Sequence, residues 1–206
     1  MESTFLTREN AVSVNQFKKI EILKLIRQEK EISRADIVKK TGISAPTVTR
    51  IVDSLLYTEK LVEQVGMGES NGGRPPLMIR FVGEDHYVVG IDWGKTHIYG
   101  VLADLNAKVI HELDIPSEED NDFNSDLEKV MNLIQYIIQK SSVNPEKILG
   151  IGIAAAGYVN KHTGVIEYSP NFNWFHSNIK EPLEEKFGVP VKVGNVSRDR
   201  KSTRLN

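Results

Sequence analysis

Residues 41–52, Thr-Gly-Ile-Ser-Ala-Pro-Thr-Val-Thr-Arg-Ile-Val, leave the backbone little choice. Gly42 breaks the preceding element, and Pro46 can stand only in the first turn of a helix, where no N–H is required of it. Ser44 occupies the N-cap position, with its hydroxyl expected to accept an orphan backbone N–H. Val48, Ile51, Val52, Leu55 and Leu56 recur at helical spacing and predict one apolar face on a helix running from Ser44 to about Glu59. The opposite face carries Pro46, Thr49, Arg50 and Asp53, with Ser44 and Thr47 near the tip. Such a hydroxyl-rich, arginine-bearing first turn can enter a DNA major groove. The plainer alternative is a surface helix whose Ser and Thr only cap it.

The flanking residues decide between these. Residues 1–14 are polar and mixed and predict a flexible arm. From Asn15 the positions of Phe17, Ile20, Ile22, Leu23, Leu25 and Ile26 predict an amphipathic helix ending near Glu29. Ser33 is a capping candidate for a second, short helix that Gly42 ends. Helix, helix, Gly-containing turn, helix is the helix-turn-helix order. Two strands follow, 61–65 and 77–81, joined by a polar, glycine-rich loop containing Gly72-Gly73-Arg74-Pro75-Pro76. Two strands and a thin tip make a wing, and Arg74 on that tip suits a narrow minor groove. Residues 15–81 are therefore expected to be a winged helix-turn-helix domain, with Ser33, Ser44, Pro46, Thr47, Thr49, Arg50 and Arg74 as its DNA-facing set.

Charge separates this front from the body. Residues 1–83 hold 13 Lys+Arg against 10 Asp+Glu, whereas 84–195 hold 9 against 17 and no arginine. The front is too weakly basic for charge alone to argue DNA, so pattern carries the argument. No apolar run approaches a membrane span, no signal-peptide pattern opens the chain, and there is no cysteine, which together suit a cytoplasmic protein.

Residues 82–86 read as a linker. An apolar strand, 87–92, then ends in Asp92; a tight turn, 93–96, follows; strands 97–104 and 109–113 complete a meander. Asp92-x-Gly94-x-Thr96 has the make-up of a phosphate loop, with N–H groups for a phosphate and a carboxylate for a water-held metal; an ordinary hairpin turn is the alternative. Leu127 to Ile138 predict a helix, 148–154 a buried strand, 155–160 a small-residue loop and 165–166 a short strand. In Ser169-Pro170-Asn171-Phe172-Asn173-Trp174, Asn171 and Trp174 can offer an amide and a ring to a sugar, or Asn171 can simply serve a turn. A helix through Ile179, Leu183 and Phe187 and a strand at 189–193 close the pattern.

In order, these motifs resemble the ROK family (repressor, open reading frame, kinase), in particular its sugar-responsive transcriptional repressors. The likeness covers roughly residues 15–195 and rests on the winged helix with Gly72-Gly73-Arg74-Pro75 and on Gly90-Ile91-Asp92-x-Gly94-x-Thr96. Ile151-Gly152-Ile153-Ala154 with Gly157, Pro170-Asn171-Phe172-x-Trp174, and Val189-Pro190-Val191 with Asn195 complete it. The resemblance implies an α/β chain: a winged helix-turn-helix followed at 87–195 by the N-terminal lobe of an actin-like, ribonuclease-H-like domain. It implies a palindromic DNA operator, a sugar or sugar-derivative effector, homo-oligomers in full-length relatives and control of carbohydrate-utilisation genes. Asn171 and Asn195 match family positions that contact sugar hydroxyls, while Asp92, Gly94 and Thr96 match the phosphate loop of its kinases, here expected to be vestigial. In those kinases an Asp, the base that deprotonates the attacked hydroxyl, follows the asparagine matched by Asn195; this chain has Val196. No catalysis, cofactor or resident metal is therefore expected. Residues 196–206 carry almost nothing to bury and are expected to be a non-native or disordered tail on a chain truncated after the first lobe. Two other readings stay open: a sugar kinase with an appended DNA-binding domain, and an unregulated DNA-binding fragment.

Overall fold

The computed structural model describes residues 2–69, 75–117, 122–160, 162–170 and 172–195, with backbone only for 2–13. The chain divides into two compact units, 1–83 and 84–206. Among the described residues no helix is long and apolar enough to cross a membrane.

The first unit opens with α1 (Glu2–Glu29), 28 residues long. The helix expected from Asn15 therefore begins earlier, and the backbone of the supposed arm is helical. No proline or glycine interrupts residues 2–29, so nothing in the backbone stops the helix from extending. Strand β1 (Glu31–Ser33) is followed by α2 (Arg34–Thr41) and, after the turn at Gly42, by α3 (Ala45–Asp53). Gly42 takes φ 69° and its N–H closes the helix on the Val38 carbonyl at 2.9 Å, a left-handed stop that suits glycine. The helix expected to reach Glu59 is regular only to Asp53; Ser54–Thr58 widen into a π-type turn, closed by Glu59 N–H on Ser54 O at 2.9 Å.

Strands β2 (Val62–Met67) and β3 (Leu77–Phe81) pair antiparallel, and β1 adds to the far side of β3. Ile22, Ile26, Ile37, Val48, Val52 and Leu55 are fully buried and bind the three helices to this sheet. Burying an aliphatic side chain of this size is worth about 1.5–3 kcal/mol, so this contiguous cluster is what a small unit needs to hold its shape.

The second unit is a five-stranded sheet in the order β11-β7-β4-β5-β6. Strands β4 (Tyr87–Trp93), β5 (His97–Asp104) and β6 (Val109–Pro116) form the antiparallel meander. Helix α4 (Phe123–Ser141) crosses to β7 (Ile148–Ala155), which lies parallel to β4. A small sheet of β8 (Tyr158–Val159), β9 (Val165–Ser169) and β10 (Trp174–Asn178), then α5 (Lys180–Phe187), lead to β11 (Val191–Asn195), parallel to β7. This is the meander-plus-crossover sheet of a ribonuclease-H-like lobe. Alternate residues of each strand, among them Ile91, Ile98, Leu102, Ile151 and Val191, join Ile134 and Ile137 of α4 in one core.

Candidate functional site

In the first unit the candidate site is the outward face of α3. Ser44, Pro46, Thr49 and Arg50 are exposed and Thr47 is half-buried, while Val48, Ile51 and Val52 point into the core. The two faces follow from the 3.6-residue period, which places 46, 49, 50 and 53 opposite 48, 51, 52 and 55. Ser44 holds the N-cap position but caps nothing with its side chain, a correction to the sequence expectation. Its hydroxyl lies 2.9 Å from that of Thr47, and only its carbonyl serves the helix, accepting from Val48 N–H at 3.0 Å. The first-turn N–H groups are thus left for an outside acceptor, and a phosphate oxygen is a natural one.

Two contacts steady this face. Arg34 on α2 donates to Asp53 on α3 at 2.7 Å. Arg50 donates through Nη2 to the Asn15 side-chain oxygen on α1 at 3.0 Å. Neither Asn15 nor Arg34 carried a sequence signal, because each contact joins helices through their outer faces.

Ser33 leaves the DNA-facing set. It is 2% exposed, and its hydroxyl is spent on capping α2, accepting from Asp36 N–H at 3.1 Å and donating to the Asp36 carboxylate at 2.6 Å. The wing strands are in place, and Gly68 N–H closes their open end on Pro76 O at 2.8 Å. Arg74 lies outside the described residues.

In the second unit the expected residues gather at the ends of β4 and β11 but do not share a face. Register puts Asp92, Ala154 and Gly194 in one cross-strand row and Trp93, Ala155 and Asn195 in the next. Successive residues of a strand point to opposite faces, so Asp92 and Asn195 point apart. Asp92 opens on a cavity of about 670 Å³ that Tyr99, Val101 and Lys192 also line. Across from it, the Tyr99 hydroxyl donates to the Glu112 carboxylate, which raises the phenol above its ordinary 10.0. Asn195 donates its side-chain amide to the Gly157 carbonyl on the other side. Gly157 has φ 143°, and a Cβ there would lie 2.9 Å from the Tyr168 carbonyl oxygen, so only glycine fits.

The phosphate-loop reading weakens at Gly94, whose N–H donates to His97 O at 3.0 Å and closes the β4–β5 hairpin. The Thr96 hydroxyl lies 3.1 Å from His97 Nδ1. The loop is thus built as a tight turn with its glycine amide already engaged. Among the described residues no group of His, Asp and Glu is placed to hold a metal ion.

Trp174 does not present a ring to a ligand, another correction. It is 5% exposed, stacked on Phe172 at 4.2 Å and held edge-on by Trp93 at 5.1 Å and Phe123 at 5.3 Å. Asn171 and the tail 196–206 lie outside the described residues.

The model of the ROK family matches residues 88–199, more than half of the chain. The chain belongs to the ROK family. A second model, winged helix-turn-helix DNA-binding, matches residues 18–56. A xylose repressor of Bacillus spizizenii (strain ATCC 23059 / NRRL B-14472 / W23) is 35% identical over 84% of this chain and 44% of its own length. Another, of Caldicellulosiruptor bescii, is 31% identical over 90% of this chain and 46% of its own. The DNA-binding transcriptional dual regulator NagC of Escherichia coli K12 is 26% identical over 92% and 46%. This ROK-family chain thus spans somewhat under half the length of the curated relatives it matches. In fold it resembles a ROK family transcriptional regulator described as a homolog of the E. coli MLC protein, with a TM-score of 0.75 over 88% of this chain and 46% of that one, at 23% identity.

Proposed function

We propose that this chain is the DNA-binding and effector-sensing part of a cytoplasmic transcriptional repressor of carbohydrate-utilisation genes. The observation that carries the reading is the outward face of α3: Ser44, Pro46, Thr49 and Arg50 exposed on a helix with an uncapped first turn, followed directly by a wing. Serine and threonine hydroxyls and first-turn N–H groups suit phosphates, and the Arg50 fork suits the O6/N7 edge of guanine. Arg74 is assigned to the minor groove beside the wing. The names of the relatives, xylose repressors above all and an N-acetylglucosamine repressor, support a pentose or amino-sugar effector acting on the acidic unit, with Asn171 and Asn195 as its polar contacts. The effector shifts the population between DNA-competent and incompetent states. A two-fold operator and a homodimer belong to the same reading.

Phosphoryl transfer is not part of it. The engaged Gly94 N–H and Val196, standing where the family's kinases have a base, support a binding role for Asp92, Gly94 and Thr96 at most.

The test is selection of duplexes from a random pool with the full chain, then titration of a selected duplex by fluorescence anisotropy in stepped salt, with and without D-xylose. Expected are two-fold symmetric selected sites, an affinity falling steeply with salt, and a further change with sugar. No salt-dependent binding to any duplex would refute the reading.

A further inference from the structure

The arginine on the outward face of α3 is held from another helix. Arg50 is exposed, and its guanidinium donates through Nη2 to the side-chain oxygen of Asn15 on α1, 35 residues earlier, at 3.0 Å. Asn15 is exposed as well, so the bond stands at the surface and does not draw Arg50 into the core. A long side chain free at a surface samples many rotamers, and an arginine that does so meets phosphates and bases alike.

The meeting of these two residues is built into the packing. Asn15, Lys19, Ile22 and Ile26 stand at i, i+4, i+7 and i+11, one face of α1. Ile22 and Ile26 are fully buried in the same core as Val48 and Val52 of α3. Toward the N-terminus the same face turns polar. Lys19 pairs with Glu59, which closes the π-type turn after α3, at 2.5 Å, and Asn15 meets Arg50. The apolar half of the face fixes where α1 lies, and the polar half then places an amide oxygen at the arginine.

A guanidinium carries five N–H donors; Asn15 engages one and leaves four, enough for a two-point contact with guanine O6 and N7. Because the group is planar, a bond at one end restrains the direction of the whole fork. The ordering is then complete before DNA arrives, and less freedom is lost on binding. Resting on the reading of α3 as the DNA-facing helix, we infer that Asn15 is a positioning residue for Arg50: it acts through that arginine and sets how strictly it selects its base. A brace of the fold would change stability and weaken all duplexes alike. A positioning residue changes the preference for one base at one position.

The test uses the full chain and a duplex selected by it, with each of the four base pairs in turn at the position where Arg50→Ala relaxes the choice. Fluorescence anisotropy gives the ratio of affinities. Asn15→Ala should narrow the preference by roughly three- to tenfold and leave the salt slope unchanged. Asn15→Asp keeps an acceptor oxygen and should keep the preference, while its added charge weakens binding to all four duplexes alike. In the Arg50→Ala background, Asn15→Ala should alter the preference by less than about twofold, because the group it positions is gone. Circular dichroism melts check that each variant is folded; should Asn15→Ala unfold the unit, Asn15→Leu removes the acceptor at nearly constant shape. No position relaxed by Arg50→Ala, an unchanged preference in Asn15→Ala, or an equal loss on all four duplexes would overturn the positioning role and leave the DNA-binding reading standing. No salt-dependent binding by the unsubstituted chain would overturn both.

Discussion

Gly157→Ala is the sharpest perturbation of the second unit. The residue sits at φ 143°, and an added Cβ would stand 2.9 Å from the Tyr168 carbonyl oxygen and 3.1 Å from both the Ile166 and Ser169 side chains. Holding a non-glycine residue in such a conformation costs about 1–3 kcal/mol. Relieving the overlap adds about 1–3 kcal/mol more, because the nearest atom is backbone and cannot swing aside. With a urea slope of about 2 kcal/mol per molar, the sum moves the unfolding midpoint down by roughly 1–3 M. Both tryptophans of the chain, Trp93 and Trp174, belong to this unit, so their fluorescence follows its unfolding alone. Gly188→Ala is the control: its φ is 67°, and a Cβ there meets nothing within 4 Å. It should cost only the conformational share, about 1–2 kcal/mol. A Gly157→Ala midpoint no lower than that of Gly188→Ala would refute the crowding argument, and with it the rigid placement of the Gly157 carbonyl that holds Asn195.

Three further outcomes follow from the geometry. Arg50→Ala should relax the choice of base at one position of a selected duplex by about 1–3 kcal/mol, roughly 5- to 150-fold, while lowering the salt slope by less than one unit; an equal loss on all duplexes would make Arg50 a phosphate contact instead. Ser33→Ala should lower the stability of the first unit by about 1 kcal/mol, measured by circular dichroism of the full chain, and leave the salt slope of DNA binding unchanged; a changed slope would return Ser33 to the DNA-facing set. Because Glu112 holds the Tyr99 phenol neutral, the folded value lies above the ordinary 10.0, so this contact stabilises the fold below about pH 10 and is lost as pH rises through the folded value. An ultraviolet titration should show Tyr99 ionising at higher pH in the unsubstituted chain than in Glu112→Gln.

Periodicity made the frame legible. The strand ends of β3 and β5 match the expected 77–81 and 97–104 because Gly, Pro and Asp punctuate both sides. Strand β10 escaped notice for a local reason: His176 has φ 46°, which breaks the two-residue alternation that marks a strand. Pro46 and the apolar spacing placed α3, but not the use of the Ser44 hydroxyl, since propensity does not say which of two nearby partners a side chain takes. The candidate sugar and phosphate residues were found by type and order. That Asp92 and Asn195 face apart depends on the pairing of three strands far apart in sequence, which no local pattern encodes.

Ser33 belongs to two structures at once. It pairs with Met78 in the β1–β3 ladder, and it caps α2 through Asp36. The wing strand and the helix that braces α3 are therefore joined through one residue, and a tilt of the hairpin is a tilt of the helices. Strain entering at the wing has no slack to dissipate in. Length variation should accordingly be tolerated only beyond the Gly68–Pro76 bond, out on the tip, while a single residue added to β3 below it would turn the lever and misdirect every side chain of α3.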